Sequence, residues 1–236
     1  MNLSLSGLKW FRKPHQIIVE NHARFYTFDQ TGPLTDYDFV VFDTELTGLN
    51  KKRDEIISIG AVRIHRMQIV LGETFHCLVK PVNLNHNQAT LIHQITPEQL
   101  AEAPPLDHVL RDFISFCGNS LLVGHFVELD MYFLNRATRK ILGGALANPS
   151  VDTMRLARGY KESGGALDYG YHDRSFSYQL DDLSEEFKLP RFKSHDALED
   201  ALQSAYLFLY LIKKMQKGGV KTLQQLYRAG RHFRLM

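Results

Sequence analysis

Short apolar runs alternate with stretches of helical periodicity along this chain, and their order restricts the possible folds more than any other feature. DFVVFD (38–43) is an apolar run bounded by polar residues, which predicts a buried strand. IISIGAVRIHR (56–66) and QIVLGETFHCLVKP (68–81) are rich in β-branched residues and separated by Met67. They predict an antiparallel hairpin, although the residues between them are poor turn formers.

After the hairpin, strands and helices alternate. SLLVG (120–124) and SVDT (150–153) predict short strands, and Thr96-Pro97 is a plausible helix start. Amphipathic spacing predicts helices at 106–117, 128–141, 153–160, 178–187 and 197–215. A hairpin followed by this alternation predicts an α/β fold, with a mixed sheet covered by helices.

The segments outside this pattern suggest how the chain is divided. Residues 1–35 are mixed in character and could hold a short helix, and the cluster TGPLTD (31–36) breaks regular structure. We therefore predict an N-terminal extension (1–35), one domain (36–215) and a basic C-terminal tail (216–236). The Gly- and Tyr-rich stretch 162–175 is predicted to be an exposed loop inserted in the domain.

The composition is that of a globular protein. Of 236 residues, 44% are hydrophobic and 23% charged, which argues against disordered and low-complexity classes. Cys77 and Cys117 do not make a disulfide framework, so a reducing compartment is expected. The N-terminus lacks the pattern of a signal peptide, and the longest apolar run, 205–212, is far shorter than the ~20 residues of a spanning helix. We expect a soluble, cytoplasmic protein with no membrane association.

The charge is unevenly distributed. The net charge is only +2, yet residues 213–236 hold seven of the 28 basic residues and none of the 26 acidic ones. The rest of the chain is therefore acidic. Such a tail predicts a phosphate-rich or acidic partner, and we expect it to neutralise phosphates of a polynucleotide. The alternatives are a solvated tail without a partner, or a helix packed on the core through Leu223, Leu226, Tyr227 and Phe233.

Two carboxylates, Asp43 and Glu45, follow the first predicted strand. Side chains two apart on a strand project from the same face, so both should emerge together at its carboxyl end. Open α/β sheets place their sites at these ends. A hydrophobic strand has little reason to end in two like charges unless a cation neutralises them, but a solvated turn also accounts for the pair.

Two further acids and a histidine lie near predicted helix starts. Asp130 and Asp200 fall in first turns, where the helix dipole favours negative charge without any catalytic role. Asp196 and Glu199 have the spacing of a capping box. His195 precedes the same helix, and a single histidine there is more often structural than catalytic.

The short sequence motifs around these residues are more informative than each residue taken separately. In order, they resemble the motifs of the DEDD exonuclease superfamily, and the histidine five residues before the last aspartate resembles its DEDDh branch, which includes the proofreading epsilon subunit of bacterial DNA polymerase III and ribonuclease T. The resemblance covers about residues 37–212. The matching segments are DTELTGL (43–49), LIHQIT (91–96), GHFVELDMYFL (124–134), VDT (151–153) and HDALEDA (195–201).

This resemblance implies a ribonuclease H-like, mixed five-stranded sheet flanked by helices. It implies that four carboxylates bind two divalent cations, Mg²⁺ or Mn²⁺, with Asp43 shared between them, and that His195 is the general base. Glu45, Leu46 and His93 match positions that contact the nucleotide. The implied metal ligands are Asp43, Glu45, Asp130 and Asp200.

The implied activity is a metal-dependent 3′→5′ exonuclease that releases nucleoside 5′-monophosphates from single-stranded ends. DNA is modestly favoured, and a polymerase subunit is a possible partner. The alternatives are an exoribonuclease that trims RNA 3′ ends, or a non-catalytic nucleic-acid-binding or polymerase-docking protein. Three positions depart from the family: Leu46 replaces the frequent Thr, Phe126 the usual Asn, and Gln94 the usual Gly.

Overall fold

A mixed five-stranded sheet forms the centre of the protein in the computed structural model, which describes residues 13–82, 93–165 and 177–231. The strand order is β3-β2-β1-β4-β5, with β1–β3 antiparallel and β1, β4 and β5 parallel. The predicted hairpin and the predicted mixed α/β sheet are confirmed. The strands are β1 Phe39–Leu46, β2 Ile56–His65, β3 Gln68–Leu78, β4 Leu121–Gly124 and β5 Ser150–Asp152.

Helices cover both faces of this sheet. In the described ranges they are α1 Gln16–Phe25, α2 Pro97–Glu102, α3 Leu106–Cys117, α4 Glu128–Leu142, α5 Thr153–Tyr160, α6 Leu180–Glu186, α7 Ala197–Lys217 and α8 Leu223–Arg231. The Thr96 side chain and Gln99 form a capping box at the start of α2, as the Thr-Pro pair suggested. The predicted helices lie within one to two residues of these bounds, and the difference falls at their ends, where helices fray.

Strand β1 is buried on both faces and divides the core into two clusters. Val40 and Phe42 pack with α3 and α4 in one cluster. Phe39 and Val41 pack with α7 in the other. Because strand side chains alternate, Asp43 and Glu45 continue the α7 face, and Thr44 continues the α4 face. The functional carboxylates therefore emerge beneath the start of α7.

The turn of the β2–β3 hairpin has unusual residues for its backbone. Arg66 and Met67 both have left-handed φ angles, 47° and 61°, which a two-residue hairpin turn requires and which glycine or asparagine usually supplies. Neither residue is a typical turn former, so local chemistry provides little support for this turn. Pairing of β2 with strands on both sides, together with its almost completely buried side chains, holds the hairpin closed.

Both flanking segments pack against the sheet and its helices. Ile18 of α1 is 2% exposed, and Leu223 and Leu226 of α8 are fully buried. Pro33 and Thr222 form a β-bridge that joins the two flanks. Most of the predicted loop 162–175 lies outside the described residues; a single π-helical turn, Lys161–Gly165, continues from α5 at its start. None of the helices in the described ranges combines the length and apolar character that crossing a membrane requires.

Ending the chain after Lys217 should therefore destabilise it. The truncation removes the buried side chains of Leu223 and Leu226, each of which contributes roughly 1.5–3 kcal/mol on burial. Loss of even ~3 kcal/mol lowers the melting temperature of a domain this size by about 6–12 °C. A circular dichroism melt measures this, and the double substitution of the exposed Lys213 and Lys217 by Gln provides the control. An unchanged melting temperature in the truncated protein would contradict the packing role of α8.

Candidate active site

Three carboxylates meet at the carboxyl end of β1. Ligand oxygens of Asp43, Glu45 and Asp200 all lie within 4.8 Å of one another. The first two come from one face of β1, and Asp200 comes from the first turn of α7, which packs on that face. The structure thus brings together three of the four predicted metal ligands at distances that one hard cation can bridge.

A glycine on the neighbouring strand allows this approach. Gly60 pairs directly with Asp43 across β1 and β2. A Cβ at this position would lie 2.1 Å from the carbonyl carbon of Ala197 and 2.1 Å from the amide nitrogen of Leu198. Both atoms belong to the backbone of the first turn of α7, so neither can move without moving the helix. The missing side chain at Gly60 lets α7 bring Asp200 to the site.

Gly60→Ala should therefore disturb both the fold and the site. Overpacking of this kind costs roughly 1–3 kcal/mol, and displacement of the first turn of α7 moves Asp200 away from Asp43. We expect a lower melting temperature and at least a ~10-fold loss of hydrolysis, because a misplacement of about 1 Å can cost 10²-fold. Gly72→Ala in β3 is the matched control, since a Cβ at Gly72 meets nothing within 4 Å. Wild-type activity in the Gly60 variant would contradict this account.

The fourth acid, Asp130, is held from the opposite face of β1. Its Oδ1 accepts hydrogen bonds from the backbone N–H of Thr44, at 3.2 Å, and from the Thr44 hydroxyl, at 2.5 Å. Asp130 is buried in the first turn of α4, as predicted. Its negative charge contributes to raising the pKa of both Asp43 and Glu45, so the four acids form one electrostatic unit.

Burial raises the pKa of each acid in this unit, and repulsion from nearby carboxylates adds to the effect. Burial comes first in every case, and the pKa of Glu45 rises to about 7, that of Asp130 to about 7 and that of Asp200 to about 6. The pKa of Asp43 lies well above its usual range, since the charges of Asp130, Asp200 and Glu45 add to its burial. Clustered carboxylate oxygens are the donors that Mg²⁺ and Mn²⁺ prefer, so this donor set fits the predicted divalent cations.

His195 lies beside the cluster, on the turn that precedes α7. Its backbone N–H donates to Oδ2 of Asp200 at 3.0 Å, and its side chain is exposed. Its φ angle of 65° is left-handed. Asp196 caps α7 by accepting from the N–H groups of Leu198 and Glu199, whereas the Glu199 side chain accepts from the N–H of Lys193, so only half of the expected capping box forms. Asp196 therefore has a structural role as a helix cap, whereas the carboxylate of Asp200 lies in the cluster.

The predicted nucleotide contacts have different surroundings. His93 is buried, and its Nδ1 accepts from the N–H of Ile95 at 3.0 Å. Burial lowers its pKa, and the neighbouring charge of His195 lowers it further, so the two histidines lie close together. Leu46 is 8% exposed and packs in the core cluster with Phe42, so its contact with a nucleotide stays a prediction.

Sequence reasoning did not single out Asp152 as a site residue. Its Oδ1 accepts from the N–H of Phe126 at 3.3 Å and of Met154 at 2.9 Å, and its charge contributes to raising the pKa of Asp130. Asp152 thus ties the turn after β4 to the start of α5. The motif VDT was the available signal, because its aspartate ends a strand parallel to β4.

Two of the departures from the family share a backbone conformation. Phe126 and Gln94 have left-handed φ angles of 54° and 57°. Asparagine and glycine, the residues usual there in the family, adopt this conformation most readily. The Phe126 ring is exposed and makes an edge contact with His125, at 4.8 Å between ring centroids. Both positions therefore have a backbone conformation that asparagine or glycine would adopt more readily than the residues present.

Comparisons with known proteins agree with this geometry. Residues 40–208 match the family described as Exonuclease (RNase_T). The chain is 35% identical over 208 residues to "DNA polymerase III PolC-type" of Thermotoga petrophila, a match that covers 88% of this chain and 14% of that protein. It is 32% identical over 186 residues to "DNA polymerase III subunit epsilon" of Aquifex aeolicus, covering 77% of this chain and 84% of that protein. This chain therefore spans a small part of the PolC-type relatives and most of the epsilon subunit.

The fold has solved counterparts as well. The crystal structure of E. coli Exonuclease I in complex with a dA16 oligonucleotide superposes with a TM-score of 0.66 at 18% sequence identity, covering 77% of this chain and 42% of that chain. The strand order and pairing are those of a ribonuclease H-like fold. The chain belongs to the exonuclease family whose model matches residues 40–208.

Proposed function

We propose that this protein hydrolyses single-stranded nucleic acid from the 3′ end to nucleoside 5′-monophosphates with the help of two divalent cations, Mg²⁺ or Mn²⁺. The observation that carries the proposal is the cluster of Asp43, Glu45 and Asp200 within 4.8 Å, at the end of a buried strand. Burial and repulsion raise the pKa values of these acids, and a bound cation would offset that repulsion once they are ionised. When bound, such cations would activate a water molecule and stabilise the charge of the reacting phosphate.

The four acids are proposed to have different roles as ligands of the two cations. Asp43 interacts electrostatically with all three of the others, which suits a ligand shared by two ions. Glu45 and Asp200 complete one site. Asp130 keeps one carboxylate oxygen occupied by Thr44, which fixes its orientation and leaves the other oxygen for a cation or its water.

His195 is the proposed general base. Its exposed imidazole can reach a water on the open side of the cluster, and its backbone N–H orients Asp200 at the same time. The imidazole takes a proton from the water as its oxygen bonds to phosphorus, and the bond between phosphorus and O3′ breaks. The O3′ atom takes up a proton from solvent and stays on the shortened strand, and the terminal nucleotide leaves as a 5′-monophosphate. Glu45, Leu46 and His93 are proposed to hold the terminal nucleotide.

Single-stranded DNA is the proposed substrate, with a polymerase assembly as a possible partner and a cytoplasmic location. The relatives named DNA polymerase III support this choice, because both the PolC-type proteins and the epsilon subunit bear that name. Exonuclease I, a structural neighbour, was crystallised with a DNA oligonucleotide. An exoribonuclease remains the second candidate, since Leu46 is closer to the oligoribonuclease branch of the superfamily.

The test is a degradation assay on 5′-labelled single-stranded DNA, single-stranded RNA and mismatched duplex, each with Mg²⁺, Mn²⁺ or EDTA. A ladder of shortened labelled strands, lost in EDTA and strongest for single-stranded DNA, is the expected result. Faster loss of RNA would reverse the substrate assignment. If the protein binds the DNA but hydrolyses it with neither metal, the result would support the alternative of a non-catalytic docking protein.

A further inference from the structure

A groove of about 720 Å³ lies beside the β1–β2 turn and along α4, and its charged lining is mostly basic. We propose that this cationic groove binds the sugar–phosphate backbone of the strand upstream of the cleaved nucleotide. The proposal rests on the proposed function, because the cleaved end must lie at the carboxylate cluster. The cations that define the groove are Lys52, Arg53, Lys80, Arg136 and Lys140.

The two acids in the lining do not cancel this charge. Glu55 accepts a hydrogen bond from the backbone N–H of Val82 at 2.9 Å, so it is used to fix one wall. Asp107 lies 3.5 Å from the guanidinium of Arg111, which partly neutralises it. Glu55 keeps its charge, but five cations face only two carboxylates, one of them paired with Arg111, so the lining is net positive in a chain that is acidic outside its C-terminal segment. Phosphates are the complementary partner for such a surface.

Helix α4 runs from the carboxylate cluster to the groove. Helix α4 carries Asp130 in its first turn and Arg136 and Lys140 further along. At 1.5 Å per residue, these cations lie ~9 Å and ~15 Å along the helix axis from Asp130. Successive phosphates of one strand are at least ~3.4 Å apart, so a strand with its 3′ end at the cluster reaches both cations within a few nucleotides.

The walls of the groove are held in place before any ligand binds. The Arg136 guanidinium donates to the carbonyl oxygens of Lys51 and Asp54, which ties α4 to the β1–β2 turn. Lys80 donates through Nζ to the carbonyl oxygen of Ala101, at 2.7 Å. Carbonyl oxygens carry no net charge, so both cations keep theirs. A preformed cationic surface loses little conformational entropy on binding a strand.

The basic C-terminal segment is a separate surface. Helix α8 contacts α5 and β5, at the end of the sheet formed by β5. The cationic groove lies beside the β1–β2 turn. Strand β1 is the central strand of the sheet, and β4 separates it from β5. The sequence favoured the C-terminal segment as the phosphate contact. Its packing through Leu223 and Leu226 accounts for α8 as a part of the core instead.

Lys52→Gln combined with Arg53→Gln tests the groove in the full-length chain. Both side chains are exposed, and the turn is held by backbone hydrogen bonds to Asn50, so the fold should be unaffected. Lys213→Gln with Lys217→Gln is the matched control, because it removes two exposed cations from the last turns of α7. Binding of a fluorescent single-stranded oligonucleotide is measured with Ca²⁺ over a range of salt concentrations, and hydrolysis with Mg²⁺ on long and dinucleotide substrates. Circular dichroism melts check folding.

The groove variant should flatten the slope of log affinity against log salt by about 0.7–1.4, which is one or two phosphate contacts on a single strand. It should raise KM on the long substrate and leave the dinucleotide unchanged, and the control should match wild type. An unchanged slope in the groove variant, or a flatter slope in the control only, would overturn the proposal. Wild-type protein that binds the oligonucleotide with this groove dependence and never hydrolyses it would support the groove and refute the proposed function.

Discussion

Asp43→Asn should reduce hydrolysis by about three orders of magnitude or more while leaving the fold intact. The substitution keeps the shape of the side chain and removes the charge that we assign to the shared ligand. The electrostatic stabilisation that a bound cation gives to the reacting phosphate amounts to several kcal/mol, and each ~1.4 kcal/mol is tenfold in rate. The measurement is kcat on a single-stranded oligonucleotide with saturating Mn²⁺.

The same variant should be more stable than wild type in the absence of metal at alkaline pH. Glu45 and Asp130 have pKa values of about 7 in the folded protein, and Asp200 about 6, above the ~4 of an unfolded carboxyl group. Between these limits the folded state binds more protons than the unfolded state. Their contribution to stability is therefore complete below pH ~4 and is lost as the pH rises through 6–7. Burial is the first cause of this loss, and removing the Asp43 charge relieves the repulsion between Asp43 and the other three acids that adds to it.

Thermal melts at several pH values separate these effects. The metal-free wild type should melt at a lower temperature at pH 8 than at pH 5, with a smaller difference in Asp43→Asn. Added Mn²⁺ at about 100 times its dissociation constant should stabilise wild type by about 2.7 kcal/mol and the variant much less. Asp112→Asn, at an exposed position of α3, is the control and should behave as wild type. Equal stabilisation of both proteins by Mn²⁺ would refute the assignment of Asp43.

The fold was largely predictable because hydrophobic periodicity and element order are local signals. The strand 38–43 and the helix 106–117 both follow directly from the spacing of apolar residues. The hairpin turn at Arg66 and Met67 was not predictable from local chemistry, since strand pairing imposes its left-handed backbone. For the basic C-terminal segment, a helix packed on the core was one of three alternatives. The charge pattern could not decide between them, because it does not show which leucines are buried by tertiary contacts.

The site was predictable in its members but not in its construction. The spacing of Asp43 and Glu45 indicated a shared face, whereas their proximity to Asp200 depends on how α7 packs. Gly60 looks like any strand glycine in the sequence, and only the 2.1 Å approach of α7 explains it. Likewise, nothing in the sequence indicated that Thr44 would hold Asp130, because the two are far apart in the chain.

His195→Asn should lower kcat by about 10²–10⁴ at neutral pH, the usual range for loss of a general base. Asparagine suits this position because it tolerates the left-handed backbone that His195 adopts, with φ at 65°. The backbone N–H that donates to Asp200 is kept, so the carboxylate stays in place. The variant therefore removes the proton acceptor without removing a proposed metal ligand.

Metal affinity and pH dependence distinguish this role from a structural one. Mn²⁺ should stabilise His195→Asn and wild type alike in thermal melts, because the side chain is not proposed to bind the cation. Raising the pH should recover part of the lost rate, since hydroxide replaces the base that the imidazole supplied. His108→Asn, an exposed histidine on α3, should change neither quantity. If metal affinity falls together with the rate, or if no activity returns at high pH, His195 contributes to holding the site and another group accepts the proton.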